Sequence, residues 1–262
     1  MTTLETLQIG IIQTDLVWKS PRLNLDHIAQ IIHESPLCNL YVLPELFPSA
    51  FCIDPQLAEP MNGTSVEWMK SLAHAKQAVI AGSVAIREND KIFNRFLWVR
   101  PDASIEYYDK HYLFSIGKEA LEFTAGSMRK IVHEWGWNFA LQVCYDLRFP
   151  CWSMNTYAQA VYGYDVLLYV ASWPEVRQND WIHLLQARAI ENQAYCVGVN
   201  RIGCDGDGYQ YSGFSQAYNF QGELLYNGAS REECGIITIH KKELDARRYN
   251  FPVAKDWNLK TD

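Results

Sequence analysis

The chain has 262 residues, of which 48% are hydrophobic and 20% charged, and its formal net charge at pH 7 is −7. This is the composition of a globular protein with ample apolar material for a core. The acidic balance and the lack of a lysine- and arginine-rich cluster argue against a nucleic-acid partner. No apolar run reaches the length of a membrane span, and the start of the chain lacks the pattern of an export signal. We therefore expect a cytoplasmic protein without a membrane partner.

The cysteines are odd in number and irregularly spaced. They occupy positions 38, 52, 144, 151, 196, 204 and 234. No pair has Cys-x-x-Cys spacing, and no cysteine–histidine cluster has the spacing of a zinc site. We therefore expect reduced thiols and no metal site.

Apolar runs and amphipathic segments alternate in the first third of the chain. The pattern predicts strands at 7–13, 40–45 and 78–85 and helices at 24–34 and 65–76. Such a β-α-β succession favours parallel strands joined by a right-handed crossover.

The rest of the chain mixes hairpins with further alternation of strands and helices. The predicted elements are a hairpin of 93–100 and 104–108, a hairpin of 128–133 and 138–143, helices at 152–162 and 179–192, strands at 166–171, 195–200, 215–220 and 235–240, and a turn at 203–208. This mixture predicts an α/β fold, with one mixed sheet or two sheets back to back and helices outside. No linker, repeat or change of composition occurs, so we expect one domain over residues 1–262. The basic pairs Lys241-Lys242 and Arg247-Arg248 predict a solvated face.

A single cysteine, Cys144, follows the apolar run at 139–143. Ligands of open α/β sheets bind beyond the carboxyl ends of such strands, where a nucleophile is well placed. Taken alone, the pattern is more typical of a small, buried and inert thiol.

Two charged residues, Glu45 and Lys110, also follow predicted strands. A partly desolvated carboxylate has a raised pKa and accepts a proton from a thiol, and a fixed ammonium stabilises a thiolate or an oxyanion. Each signal is weak alone, because most such residues face solvent. A cysteine–histidine pair is the commonest alternative design; His111 and His183 are its better candidates, and neither lies in a recognisable motif.

Three segments in a fixed order change this assessment. They are Leu43-Pro44-Glu45-Leu46-Phe47, Tyr108-Asp109-Lys110-His111-Tyr112-Leu113-Phe114 and Val143-Cys144-Tyr145-Asp146-Leu147-Arg148-Phe149-Pro150. They resemble the signature blocks of the nitrilase superfamily, carbon–nitrogen hydrolases that act through a Glu-Lys-Cys triad. The resemblance extends from residues 9–13 to 186–192 and covers nearly the whole chain.

The resemblance implies a four-layer α-β-β-α sandwich that pairs through its helical faces into homodimers or larger assemblies. It implies that Glu45 is the general base, Cys144 the nucleophile and Lys110 the stabiliser of the tetrahedral intermediate, with the backbone N–H of Tyr145 completing the oxyanion hole. The family uses a second glutamate, for which Glu119 matches better than Glu122. No metal or cofactor is required.

Within the family, the second and third blocks resemble those of the omega-amidase group, which hydrolyses 2-oxoglutaramate and 2-oxosuccinamate to the oxoacid and ammonia. A small-molecule amide substrate is therefore expected. A carbamoylase and an aliphatic nitrilase are the alternatives among enzymes, and a scaffold that has lost turnover is the non-enzymatic one. Trp173 is expected in the pocket wall, whereas Arg148 is expected in a structural ion pair rather than as the substrate's carboxylate anchor.

Overall fold

The computed structural model describes residues 3–257, so residues 1–2 and 258–262 of the predicted domain lie outside the described part. The α-helices are α1 Pro21–Glu34, α2 Thr64–Lys76, α3 Glu119–Glu122, α4 Pro150–Ser153, α5 Gln178–Asn192 and α6 Lys241–Asn250. The strands are β1 Thr6–Gln13, β2 Leu40–Val42, β3 Val79–Glu88, β4 Lys91–Val99, β5 Ile105–Asp109, β6 Ile131–Glu134, β7 Trp137–Val143, β8 Tyr157–Ala158, β9 Val161–Tyr162, β10 Val166–Ala171, β11 Tyr195–Asn200, β12 Ile202–Cys204, β13 Gln210–Ser212, β14 Gln216–Tyr218, β15 Leu224–Asn227 and β16 Glu233–His240.

Two six-stranded mixed sheets form the centre of the molecule. Their strand orders are β16-β1-β2-β3-β4-β5 and β15-β14-β11-β10-β7-β6. In each sheet three neighbouring strands are parallel, β1, β2 and β3 in the first and β11, β10 and β7 in the second, and antiparallel strands flank them. Segments that leave the carboxyl ends of these parallel strands are therefore in a position to build a site.

The two faces of the first sheet bury different partners, as a pleated strand requires. In β1, Ile9 and Ile11 pack into the core between the sheets, whereas Ile12 packs with the buried side chains of α1 and α2. Leu40 and Tyr41 divide in the same way in β2. This alternation separates an inner layer from an outer helical layer.

The second sheet is covered by α5. Trp181 and Leu185 of this helix are buried against the sheet and approach β11 at Gly198, where an added Cβ would lie 2.4 Å from a Leu185 methyl group. A glycine in the strand therefore permits the close approach of the helix. Helices on the outer face of each sheet give the four-layer α-β-β-α sandwich, which confirms the predicted α/β fold class.

The predicted helix at 152–162 is wrong. After the short α4, the Asn155 side chain binds the backbone of Thr156 and Tyr164, and the chain forms the β8–β9 hairpin. Gln159 and Ala160, at the tip of this hairpin, have φ of 51° and 63°. Two successive left-handed residues are the geometry of a tight hairpin turn, which a helix cannot contain.

The carboxyl-terminal helix α6 and strand β15 were not predicted from the sequence. The solvated face predicted for Lys241-Lys242 and Arg247-Arg248 is wrong in part. Lys242 is exposed, but Arg248 is only 7% exposed and pairs with buried Asp165, as does Lys241. The predicted turn at 203–208 largely joins β12 to β13.

Within residues 3–257, no helix is long and apolar enough to cross a membrane.

Candidate active site

Glu45 lies three residues beyond the end of β2, in a turn where Leu46 has a φ of 43°. The Glu45 side chain is fully buried. Its Oε1 accepts hydrogen bonds from Lys110 Nζ at 2.7 Å and Asn94 Nδ2 at 2.8 Å, and its Oε2 accepts one from the backbone N–H of Ser172 at 2.9 Å. Ser172 directly follows β10, so Glu45 connects the two sheets at their carboxyl ends.

The ammonium group of Lys110 lies between two buried carboxylates. In addition to Glu45, Lys110 Nζ donates to Glu119 Oε1 at 3.0 Å and to Oε2 at 2.8 Å. Glu119 is 1% exposed and also accepts from the backbone N–H of Phe114 at 2.7 Å. Glu122, the competing candidate, is exposed at the other end of the one-turn helix α3. The structure therefore brings Glu119, and not Glu122, to Lys110.

Burial and the neighbouring charges shift the pKa values of Glu45 and Lys110. Burial raises the pKa of Glu45; the nearby Glu119 carboxylate adds to this increase, and Lys110 opposes it. For Lys110, burial alone would lower the pKa, but the Glu119 and Glu45 carboxylates outweigh burial and raise it. The ammonium group is therefore charged at neutral pH, and Glu45 accepts a proton more readily than an exposed carboxylate does.

Cys144 begins a short 3₁₀ turn, Cys144–Arg148, directly after β7. Its φ of 44° lies in the left-handed region, which is uncommon for a residue with a side chain. The residue is 8% exposed. Burial and the Glu45 carboxylate raise the pKa of the thiol, while Lys110 lowers it. At rest Cys144 is therefore a protonated thiol that requires a base to become a nucleophile.

Asp146 holds this turn against the segment that carries Lys110. Its Oδ2 accepts from the backbone N–H of Val143 at 3.0 Å and from the Tyr108 hydroxyl at 2.8 Å, and its Oδ1 accepts from the Tyr112 backbone N–H at 2.8 Å. Burial raises the pKa of Asp146 to about 6, against the lowering by these N–H groups and by Lys110. The strained conformation at Cys144 is thus fixed by bonds on both sides.

The Cys144 side chain opens into a cavity of about 740 Å³. Tyr145 and Trp173, both predicted at the site, line it, and Trp173 is 3% exposed. Arg148 also lines the cavity, but it forms an ion pair at 2.7 Å with Asp180 of α5. The structural ion pair expected for Arg148 is therefore present, with a partner from another element.

The histidine alternative finds no support in the described part of the chain. No histidine within residues 3–257 lines the cavity; His111 stacks on Trp152, and His183 is exposed on α5. Asn94, in contrast, was not predicted, although its side-chain amide donates to both Glu45 and Glu119. Its only sequence signal is a polar residue within the apolar strand β4.

Comparisons with known proteins agree with this architecture. The model of the carbon-nitrogen hydrolase family matches residues 8–249. Omega-amidase YafV of Escherichia coli (strain K12) is 39% identical over 251 residues, which cover 95% of this chain and 96% of the relative. The 2-oxoglutaramate amidase of Bacillus subtilis (strain 168) is 30% identical over 253 residues, covering 95% of this chain and 96% of the relative.

A solved structure gives the same result. XC1258 from Xanthomonas campestris, described as a CN-hydrolase superfamily protein with an arsenic adduct in the active site, superposes with a TM-score of 0.94 at 36% identity. The match covers 99% of this chain and 100% of that one. The resemblance found in the three sequence blocks is thereby confirmed. The chain belongs to the carbon-nitrogen hydrolase family and is an enzyme of that family.

Proposed function

We propose that the protein is an omega-amidase, which hydrolyses the terminal amide of small dicarboxylic oxoacid amides such as 2-oxoglutaramate and 2-oxosuccinamate. The observation that carries the proposal is the thiol of Cys144, which opens into the cavity beside the buried Glu45–Lys110–Glu119 cluster. The substrate class is supported by relatives of nearly equal length that are named omega-amidase and 2-oxoglutaramate amidase.

In the first half of the reaction, Glu45 takes the proton of the Cys144 thiol as sulfur attacks the amide carbonyl. The carbon–sulfur bond forms, and the carbonyl electron pair moves to oxygen. Glu45 then delivers the proton to the amide nitrogen. The carbon–nitrogen bond breaks, ammonia leaves, and a thioester remains on Cys144.

The oxyanion of the tetrahedral intermediate lies within reach of two donors. Lys110 supplies a fixed positive charge, and the backbone N–H of Tyr145, at the start of the 3₁₀ turn, supplies a dipole. Preorganised donors of this kind typically contribute about 3 kcal/mol each to transition-state stabilisation.

In the second half, water replaces ammonia. Glu45 accepts a proton from water as the water oxygen attacks the thioester carbonyl carbon. A second tetrahedral intermediate forms, and Lys110 and the N–H of Tyr145 stabilise its oxyanion. Collapse of this intermediate breaks the carbon–sulfur bond, releases the carboxylic acid and returns the proton to Cys144. The net reaction consumes one water and releases one ammonia, with Glu45 back in its resting state.

Glu119 acts through Lys110 rather than on the substrate. Its two oxygens hold the ammonium group, and Asn94 connects Glu119 to Glu45. Both are positioning residues in this proposal. They keep the base and the cation in one geometry through two successive attacks on a carbonyl carbon.

The proposal is tested by measuring ammonia release from 2-oxoglutaramate, from an aliphatic nitrile and from an N-carbamoyl amino acid. The purified protein is expected to release ammonia and 2-oxoglutarate from 2-oxoglutaramate. The Cys144→Ala variant is expected to release none. Ammonia from the nitrile alone, or ammonia with carbon dioxide from the carbamoyl compound alone, would contradict the proposed substrate class.

We also propose that the chain forms one domain, functions in the cytoplasm and assembles as a homodimer or larger homo-oligomer. All seven cysteines are free thiols, as in a reducing compartment. Ile190 on α5 and Tyr249 on α6 are large apolar side chains, 51% and 86% exposed on the outer helices. Light scattering on the purified protein tests the assembly, and a mass equal to one chain would contradict it.

A further inference from the structure

One cation that lines the cavity, Arg177, has no acidic partner among residues 3–257. The other cations of the wall differ from it. Lys19 pairs with Asp54 at 3.0 Å, and Arg148 pairs with Asp180 at 2.7 Å. Lys118 is also without an ion pair in this part of the chain, but it is exposed. Arg177 therefore combines partial burial in the cavity wall with an unneutralised charge.

The backbone fixes Arg177 relative to the catalytic cluster. The N–H of Arg177 donates to the carbonyl of Pro174 at 3.0 Å, and the indole N–H of Trp173 donates to the carbonyl of Arg177 at 2.8 Å. At the other end of this turn, the N–H of Ser172 donates to Glu45. Six consecutive residues thus connect the proposed general base to Arg177, with both ends held by hydrogen bonds.

The side chain of Arg177 rests on an aromatic wall that leads to the nucleophile. Its guanidinium carbon lies 5.4 Å from the centre of the Phe114 ring. The Phe114 ring meets the Tyr145 ring edge to face at 5.2 Å, and Tyr145 directly follows Cys144. A contact between a cation and a ring face uses no N–H donor. No protein acceptor within residues 3–257 binds the guanidinium N–H groups, which are therefore free for a ligand.

A guanidinium group matches a carboxylate with two parallel N–H···O bonds, and it is less strongly hydrated than an ammonium. The substrates of the proposed function carry a carboxylate at the end remote from the amide. We propose that Arg177 binds this carboxylate and thereby selects amides of dicarboxylic acids, an inference that rests on the proposed omega-amidase activity. The aromatic wall between Arg177 and Cys144 then contacts the short carbon chain of the substrate.

The test compares KM, kcat and the alkylation of Cys144 in five forms of the enzyme: wild type, Arg177→Gln, Arg177→Lys, Arg148→Gln and Arg22→Gln. The Arg22 side chain is 95% exposed on α1 and does not line the cavity, so it provides the same chemical change elsewhere. Arg177→Gln is expected to raise KM for 2-oxoglutaramate by about 10- to 100-fold with kcat within about threefold of wild type. Arg177→Lys keeps the charge but loses the paired geometry, so its increase in KM is smaller. Arg22→Gln leaves both constants unchanged.

Iodoacetamide is a neutral probe of the thiol itself. The rate at which it alkylates Cys144 is expected to be equal in wild type and Arg177→Gln, because the cluster around the thiol is intact. A role of Arg177 in holding the turn at Ser172 would instead change this rate. An unchanged KM in Arg177→Gln, or an increase in KM seen in Arg148→Gln instead, would overturn the proposal.

A second arm separates this inference from the proposed function. If wild type releases no ammonia from 2-oxoglutaramate, the proposed function fails, and 2-oxoglutarate is used as a ligand that protects Cys144 from alkylation. Protection in wild type that is lost in Arg177→Gln would support a carboxylate site at Arg177. Equal protection in both forms, or protection in neither, would overturn it.

Discussion

Strand β10 has a cluster of charged side chains at each end, and the two clusters differ in their charge and in their access to the cavity. At its amino end, Asp165 binds Arg248 Nη1 through Oδ1 at 2.7 Å and Lys241 Nζ through Oδ2 at 2.6 Å. The remaining donors of Arg248 bind the carbonyls of Gln193 and Tyr164. This group is satisfied by protein partners and attaches α6 to the second sheet.

At the carboxyl end, Ser172 donates to a cluster in which carboxylates outnumber the cation, the reverse of the amino end, where two cations share Asp165. Two carboxylates, Glu45 and Glu119, share the single ammonium group of Lys110, and the Cys144 thiol beside them opens into the cavity. The comparison indicates that burial and pairing alone do not mark a functional site. The distinguishing features are an excess of buried carboxylate, which raises the pKa of Glu45, together with a nucleophile and access to a cavity.

The largest expected effect is on the nucleophile. Cys144→Ala is expected to lower kcat for ammonia release by about 10⁴-fold or more, because no other group in the site replaces the thiol. Cooperative unfolding is expected to be retained. Cys151→Ala is the matched control, since that thiol is exposed and outside the cavity, and it is expected to keep full activity. A Cys144→Ala enzyme with a tenth of wild-type activity would contradict the assignment.

Removal of the shared cation tests the charge imbalance. Lys110→Met leaves two buried carboxylates together, and breaking a buried ion pair in this way costs about 3–5 kcal/mol of unfolding free energy. Activity is expected to be lost as well. The double variant Lys110→Met/Glu119→Gln is expected to recover part of the stability, measured by urea unfolding, but none of the activity. A Lys110→Met variant that is inactive but as stable as wild type would show that Glu45 and Glu119 do not repel one another in the absence of the ammonium group.

A substitution at the amino end of β10 is expected to lower the free energy of unfolding and to leave turnover unchanged. Asp165→Asn leaves Arg248 buried without a counter-ion, so unfolding free energy is expected to fall by about 3 kcal/mol. Turnover per folded molecule remains at the wild-type level. Glu67→Gln, which removes an exposed ion pair with Lys70, serves as the control and changes stability by less than about 0.5 kcal/mol. A loss of turnover in folded Asp165→Asn would remove the distinction between the two ends.

A smaller effect concerns pH. Glu45 must be ionised to accept the thiol proton, and its pKa is raised by burial above the ordinary value of 4.5. On the acidic side, kcat/KM is therefore expected to fall about tenfold per pH unit below a midpoint that lies above 4.5. Measurement from pH 4 to 9 checks this, with circular dichroism to establish that the protein stays folded. A midpoint at or below 4.5 would contradict the desolvation of Glu45.

The sequence predicts those strands and helices whose residues have a clear local hydrophobic pattern. Strand β10 is a continuous apolar run, and helix α5 buries Trp181, Leu185 and Ala189 along one side. The three residues Glu45, Lys110 and Cys144 could be found because each follows a strand within an ordered block. That the three meet at one site followed from the family resemblance and not from the strand pattern, because Glu45 and Lys110 follow strands of the first sheet and Cys144 follows a strand of the second.

The features that escaped prediction depend on distant partners. Helix α6 buries only Leu244 and Arg248 among its ten residues, so its amphipathic signal is weak, and it docks through Asp165, 83 positions before Arg248. Asn94 is recognised as a site residue only from the fold, in which its side-chain amide donates to both Glu45 and Glu119. Arg177 stands out because Lys19 and Arg148 have acidic partners and Lys118 is exposed, which no spacing in the sequence reveals.

The central claim, that buried charge serves catalysis at one end of β10 and structure at the other, is tested most directly by measuring kcat/KM per folded molecule for two matched carboxylate-to-amide variants, Glu45→Gln and Asp165→Asn. We predict a loss of about 10³-fold in Glu45→Gln, because the base is removed, and a value within about threefold of wild type in Asp165→Asn. Wild-type turnover in Glu45→Gln, or an equal loss in both variants, would contradict the account.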